Sequence, residues 1–167
     1  DYIITMVPDS ADSEKAILGD NGVLDGASSG KTIIDMSSIA PGVSQKIAEM
    51  CETNEVDFLD APVSGGEPKA IAGSLAIMVG GKENIFTQCK PIFEVLGGSV
   101  VLCGGYGAGN TTKLANQIIV AANIEAVAEA LVLAKKAGLN PTTVFDAIKG
   151  GLAGSTVLNA KAPMMIN

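Results

Sequence analysis

The chain has 167 residues, 11 basic against 18 acidic side chains for a formal charge of −7, and a 47% hydrophobic share. That apolar content, with only 17% charged residues, excludes a disordered chain, which lacks the surface needed to offset ordering entropy. The acidic balance argues against nucleic acid as a partner, and the absence of histidine excludes Ser-His-Asp and Cys-His nucleophiles, histidine zinc sites and any histidine acid/base.

Proton transfer therefore falls to Lys, Asp, Glu, Tyr, Cys or water. Cys51, Cys89 and Cys103 are odd in number and far apart, which points to free thiols in a reducing cytoplasm and to no metal site. No signal peptide is recognisable. No membrane span is expected either, the densest apolar run being Ile118–Ala122. The chain starts within a strand pattern and stops within a helical one, so it reads as an internal piece of a longer protein.

Tyr2–Val7, closed by Pro8 and Asp9, predicts a buried strand, and Asp12–Leu18 a short helix ended by Gly19. Thr32–Met36 predicts a second buried strand. After it a helix runs to about Thr53, with Ser38 or a neighbour as cap and Pro41 in the first turn. Val56–Leu59 is a third strand, followed by a loop over Asp60–Gly66. Alternation of this kind implies a parallel sheet covered by helices.

Strands at Ser74–Val79 and Val100–Cys103 flank a helix over Lys82–Leu96, which Pro91 is expected to kink or restart. From Asn110 to Ala137 neither Gly nor Pro interrupts one long helix, apolar on most of its circumference. Gly138 stops it, Asn140-Pro141 opens another to Lys149, and Ser155–Met165 forms a last one. The fold class is thus α/β up to about residue 105, then all-helical and truncated at 167.

Four clusters bear on possible chemistry. Gly104-Gly105-Tyr106-Gly107-Ala108-Gly109 fails as a P-loop and as G-x-G-x-x-G, because Asn110 stands where Lys or the third Gly is required. It reads as a strand-to-helix joint that permits close packing. Asp60-Ala61-Pro62-Val63-Ser64-Gly65-Gly66 ends a strand, where open α/β sheets bind ligands. Its Ser-Gly-Gly offers backbone N–H groups and a hydroxyl to a carboxylate, the alternative being a plain Pro-Gly turn. Lys113, Asn116 and Gln117 lie three and four residues apart, on one helix face. The positive end of that helix should depress the lysine pKa and make it a proton donor, the alternative being a solvated surface lysine. In Ser37-Ser38, one hydroxyl suffices for a cap and the other is free to reach a ligand.

The segments D-A-P-V-S-G-G-E-P-K-A-I-A-G (Asp60–Gly73) and G-A-G-N-T-T-K (Gly107–Lys113) resemble the β-hydroxyacid dehydrogenase family. I-I-T-M-V-P, D-M-S-S-I-A-P and G-G-L-A-G-S extend the likeness over nearly the whole chain. The resemblance implies a partial Rossmann-like sheet, its first strands missing, with residues 1–105 as the C-terminal half of an NAD(P)-binding domain. Residues 106–167 then begin a truncated all-helical domain for substrate and dimerisation. It implies Lys113 as catalytic acid/base and Ser64, Gly65 and Gly66 as holders of the substrate carboxylate. Asn116 or Gln117 contacts the substrate, since the family places Asn four residues after the lysine and here that position is Gln117. Val7, Pro8 and Ser38 line the nicotinamide side of NAD or NADP.

The free thiols point to a cytoplasmic protein and the apolar circumference of the long helix to a homo-oligomer. By the resemblance it takes a small hydroxy acid or semialdehyde, and charge and hydropathy leave no nucleic acid or membrane partner. The activity implied is reduction of tartronate semialdehyde to glycerate. A 3-hydroxyisobutyrate substrate on the same machinery, or a non-catalytic binding module, are the alternatives. The 6-phosphogluconate dehydrogenases share the Ser-Gly-Gly loop but pair the lysine with a histidine that this chain lacks.

Overall fold

The computed structural model describes residues 1–167 and divides into two compact units, Asp1–Leu114 and Ala115–Asn167. The first opens with β1 (Tyr2–Thr5), α1 (Ser10–Leu18), the single turn α2 (Val23–Gly26), β2 (Thr32–Asp35), α3 (Pro41–Thr53) and β3 (Asp57–Asp60). These three strands pair in parallel, in the order β1-β2-β3. β4 (Val63–Ser64), α4 (Gly66–Ile71), β5 (Leu75–Gly81), α5 (Glu83–Leu96) and β6 (Gly97–Gly104) complete the sheet.

Period-two alternation sends neighbouring residues of one strand to opposite faces. Ile34 and Leu59 join Ile77 and Val79 of β5 beneath Ile85, Cys89 and Phe93 of α5. Ile33 and Phe58 meet Ile17 of α1 and Ile47, Ala48 and Cys51 of α3 on the other face. All three cysteines are free. Burial pushes the Cys51 thiol up to about 12 and, with a smaller push from the Asp57 charge, Cys89 to about 11, so both are apolar filling.

Several expectations need correction. The sheet is mixed, because β5 runs antiparallel to β3 and β4, with β6 parallel to β5. The six-residue α4 reverses the chain but is too short for the long crossover that a parallel return requires. The expected loop over 60–66 therefore contains a short strand. β1 is not buried: its one neighbour is β2, and Tyr2 and Ile4 are each nearly half exposed. Ala40, not Ser38, caps α3, and no side chain bonds there, while Pro41 occupies the first turn as expected. α5 runs on through Pro91 without a restart. The carbonyl that Pro91 deprives of a partner is that of Thr87, an exposed residue.

α6 (Ala108–Lys136) begins in the first unit and continues into the second, where α7 (Pro141–Ile148) and α8 (Thr156–Ile166) follow. In the second unit Val127 and Leu131 pack with Leu158 and Ala162. α6 reaches a mean hydropathy of 1.7 over 18 residues, a composition shared by core helices and membrane-crossing ones, which the short run Ile118–Ala122 did not register. The Asn140 side chain caps α7 by accepting from the Thr142 and Thr143 N–H groups, and Ser155 caps α8 through the Leu158 N–H. Asn140→Ala is expected to cost about 1 kcal/mol, read as a lowered midpoint in chemical denaturation.

Candidate active site

The three parallel strands end level with one another, on Thr5, Asp35 and Asp60. Asp35 and Asp60 are fully buried and Thr5 nearly so. The Thr5 hydroxyl and the Ser37 N–H both donate to Asp35 Oδ1 at 3.0 Å, and Asp35 Oδ2 has no partner. Asp60 accepts from the backbone N–H of Gly107 through Oδ1 and of Asn110 through Oδ2, each at 2.8 Å. Burial pushes the Asp60 carboxyl up from its ordinary value, against the opposing pull of the two N–H groups and with a smaller push from the Asp35 charge.

Room for that carboxylate comes from glycine. A Cβ on Gly80, level with Asp60 on β5, would stand 2.3 Å from Asp60 Oδ1. A Cβ on Gly109 would stand 2.4 Å from the Met78 carbonyl oxygen and 2.6 Å from that of Asp60. The Gly104–Gly109 segment is thus the close-packed joint expected of it. The anion at the start of α6 is the protein's own Asp60.

Asn110 is 1% exposed and extends the joint in two further directions. Its Oδ1 accepts from the Ile39 N–H at 3.0 Å, and its Nδ2 donates to Ser44 Oγ of α3 at 3.0 Å. One turn on stands Lys113, half-buried, with no carboxylate in ion-pair range. Its ammonium pKa is lowered from the ordinary value, by desolvation. The cause differs from the helix-end field inferred from sequence. α6 starts two residues earlier than expected, so Lys113 lies in the second turn, and Asp60 already offsets the positive end.

Ser64 is half-buried in β4, level with Ala76 of β5, and its hydroxyl makes no internal hydrogen bond. Gly65 and Gly66 follow at φ 142° and 66°, exposed, in conformations that favour glycine. The space beside Gly65 is taken by the Lys69 stem, whereas a Cβ on Gly66 would meet only Pro68 Cδ, at 3.8 Å. Val7 follows β1 and donates its N–H to Ser37 Oγ at 2.9 Å, tying that loop to the end of β2. Pro8 and Ser38 are exposed, and the Ser38 hydroxyl is unengaged. In the second unit Asn116 Nδ2 donates to Gln117 Oε1 at 2.9 Å, which leaves the Asn116 carbonyl and the Gln117 NH₂ free.

The carboxyl ends of parallel strands are where open α/β sheets receive dinucleotides. At that edge Met6 is 65% exposed, Val7 half-buried and Pro8 exposed, and the exposed Ser38 hydroxyl is free. Exposed apolar side chains of this kind could line the flat face of a bound ring. The same edge offers no phosphate cradle: β1 is followed by Met6-Val7-Pro8-Asp9 without glycine, and the Asp9 carboxylate caps α1 by accepting from the Asp12 N–H at 3.0 Å. Asp60, Asn110 and Gly80 were not singled out from sequence as functional residues. The usable signal was that the glycine motif failed at Asn110 alone.

The first unit is thus a mixed α/β sheet whose three parallel strands end at one edge, and the helix that leaves it carries the half-buried Lys113. Residues 1–105 match the NAD binding domain of 6-phosphogluconate dehydrogenase, and residues 107–167 the NAD-binding domain of NADP-dependent 3-hydroxyisobutyrate dehydrogenase. The chain belongs to the β-hydroxyacid dehydrogenase family. It is 50% identical over 166 residues to 2-hydroxy-3-oxopropionate reductase of Escherichia coli, covering 99% of this chain and 57% of that protein.

Among solved structures it resembles Mycobacterium tuberculosis 3-hydroxyisobutyrate dehydrogenase with L-serine, at TM-score 0.86 and 34% identity over 97% of this chain and 55% of the other. It also resembles a 3-hydroxyisobutyrate dehydrogenase from Salmonella typhimurium, at TM-score 0.90 and 28% identity over 99% and 57%. The chain thus spans a little over half the length of the relatives it matches.

Proposed function

We propose that the protein to which this chain belongs reduces tartronate semialdehyde (2-hydroxy-3-oxopropanoate) to glycerate. When bound, a reduced NAD or NADP supplies the hydride. Lys113 donates a proton to the oxygen that becomes the product hydroxyl, and its positive charge stabilises the developing alkoxide. The Ser64 hydroxyl and the Gly65 and Gly66 N–H groups hold the substrate carboxylate, which fixes the aldehyde carbon toward the hydride donor. Asn116 or Gln117 orients the lysine or takes the substrate hydroxyl, and Val7, Pro8 and Ser38 border the nicotinamide.

The observation that carries this reading is Lys113 itself. It is half-buried, has no counter-ion, and stands one turn from a buried network that ties its helix to the end of β3, the loop after β2 and α3. An acid with a lowered pKa and no carboxylate to compete for its proton is suited to donation. The substrate assignment rests on the 50% identity to the reductase. Relatives named for 3-hydroxyisobutyrate support a methyl-bearing substrate on the same lysine.

Dihydronicotinamide oxidation by the full-length protein, with tartronate semialdehyde against methylmalonate semialdehyde, decides between them. We expect at least tenfold higher kcat/KM for the first. A reversed preference moves the assignment to 3-hydroxyisobutyrate, and turnover of neither overturns both. A cytoplasmic homo-oligomer completes the proposal. It is supported by free thiols and by Ile118, Ile119 and Leu133 of α6, each more than 60% exposed.

A further inference from the structure

We propose that Asp60 is a positioning residue for Lys113, acting through the first turns of α6 and without touching substrate. This inference rests on Lys113 being the proton donor. The buried carboxylate engages the N–H groups of Gly107 and Asn110, which flank the start of the helix. Bonds from one carboxylate to two N–H groups three residues apart restrain both the direction of the helix axis and its rotation. Charge-assisted bonds of this kind are short and strong, and here no water competes for them.

Asn110 carries the restraint to two other elements, through Ile39 at the end of the β2 loop and Ser44 on α3. Lys113 is three residues beyond Asn110, so the same face of the helix carries the anchor and the acid. Gly80 and Gly109 leave the carboxylate its space, so the contact is built from β3, β5 and the joint together.

An alternative role for a buried carboxylate is structural only. The chemistry of the two roles differs. A loosened α6 moves the Lys113 ammonium relative to a carbonyl oxygen, and displacement of about 1 Å is enough to cost on the order of 100-fold in rate. Carboxylate capture by Ser64–Gly66 depends on β4 and α4, so substrate affinity should be little affected.

The test is a double-mutant cycle in the full-length enzyme, with Asp60→Asn and Lys113→Ala singly and together. Asparagine keeps the shape but accepts at one oxygen only and turns an NH₂ toward the second N–H. We expect Asp60→Asn to lower kcat by about 10- to 100-fold with KM for the semialdehyde changed less than threefold, and to have no further effect on kcat in the Lys113→Ala background. Equal kcat losses in both backgrounds, or a lowered melting temperature with kcat unchanged, overturn the proposal and leave the lysine assignment standing. A small loss in Lys113→Ala alone overturns the lysine assignment instead.

If Asp60→Asn does not fold, Asn110→Ala takes its place in the same cycle. It keeps the backbone N–H to Asp60 and removes the links to Ile39 and Ser44. A two- to tenfold fall in kcat, absent without Lys113, is then expected, and the same fall in both backgrounds overturns the proposal.

Discussion

Lys113→Ala in the full-length enzyme is expected to lower kcat by about 10²–10⁴-fold, the range that a positioned general acid contributes. The fold should survive, because Nζ has no ion-pair partner in the structure and truncation removes a half-desolvated charge rather than a buried contact. Lys113→Arg should not rescue the rate. A guanidinium keeps the positive charge but does not release its proton in the working pH range, so the variant separates charge stabilisation from proton donation. The pH profile gives a second handle. Burial lowers the Lys113 pKa from its ordinary value. A donor must be protonated, so the reduction rate is lost as pH rises through that lowered pKa, and the oxidation direction gains over the same window. The alkaline limb should vanish in Lys113→Ala. A loss smaller than tenfold, or a limb that persists without the lysine, removes it from the mechanism.

What could be read from the residues and what could not divide along a physical line. Thr32–Asp35 and Pro41–Thr53 announce themselves through a β-branched run and a proline at a first turn, both local signals. Asn140 before Pro141 does the same for α7, and the structure adds the two cap bonds. Strand direction is another matter. Leu75–Gly81 has the composition of a buried strand whichever way it runs, and its antiparallel run beside β3 follows from the hairpin-like return through β4 and the six-residue α4, which no periodicity announces.

Within the site, Ser64–Gly66 and Lys113 were legible because each belongs to a short motif. Asp60 was in view as the start of the same motif, yet its role depends on groups 47 and 50 positions away. Asn110 was noticed as the residue that spoils two nucleotide motifs. What it does instead, joining Asp60, Ile39 and Ser44, has no periodicity to betray it. Ser38 shows the reverse error: a good capping residue next to a helix, left exposed because Ala40 already occupies the cap position.

Gly109→Ala is expected to be the most destabilising single methyl in the first unit. The added Cβ would stand 2.4 Å from the Met78 carbonyl oxygen and 2.6 Å from that of Asp60, with Asp60 Oδ2 at 2.9 Å. The first two are backbone atoms of β5 and β3, so no rotamer change relieves the contact. α6 has to withdraw, which lengthens the bonds from Gly107 and Asn110 to a carboxylate that remains buried. Overpacking alone costs about 1–3 kcal/mol, and weakening hydrogen bonds to a charged group adds about 1.5–3 kcal/mol. A total of roughly 2.5–6 kcal/mol is a large part of the ~5–15 kcal/mol by which a domain is stable. Gly105→Ala is the control, since nothing lies within 4 Å of its Cβ position and its backbone is not left-handed. It should stay within about 0.5 kcal/mol of the parent. Chemical denaturation of the two variants side by side checks the joint: a large loss at 109 with little change at 105 is expected, whereas equal effects would mean that α6 does not seat against β3 and β5 through Gly109.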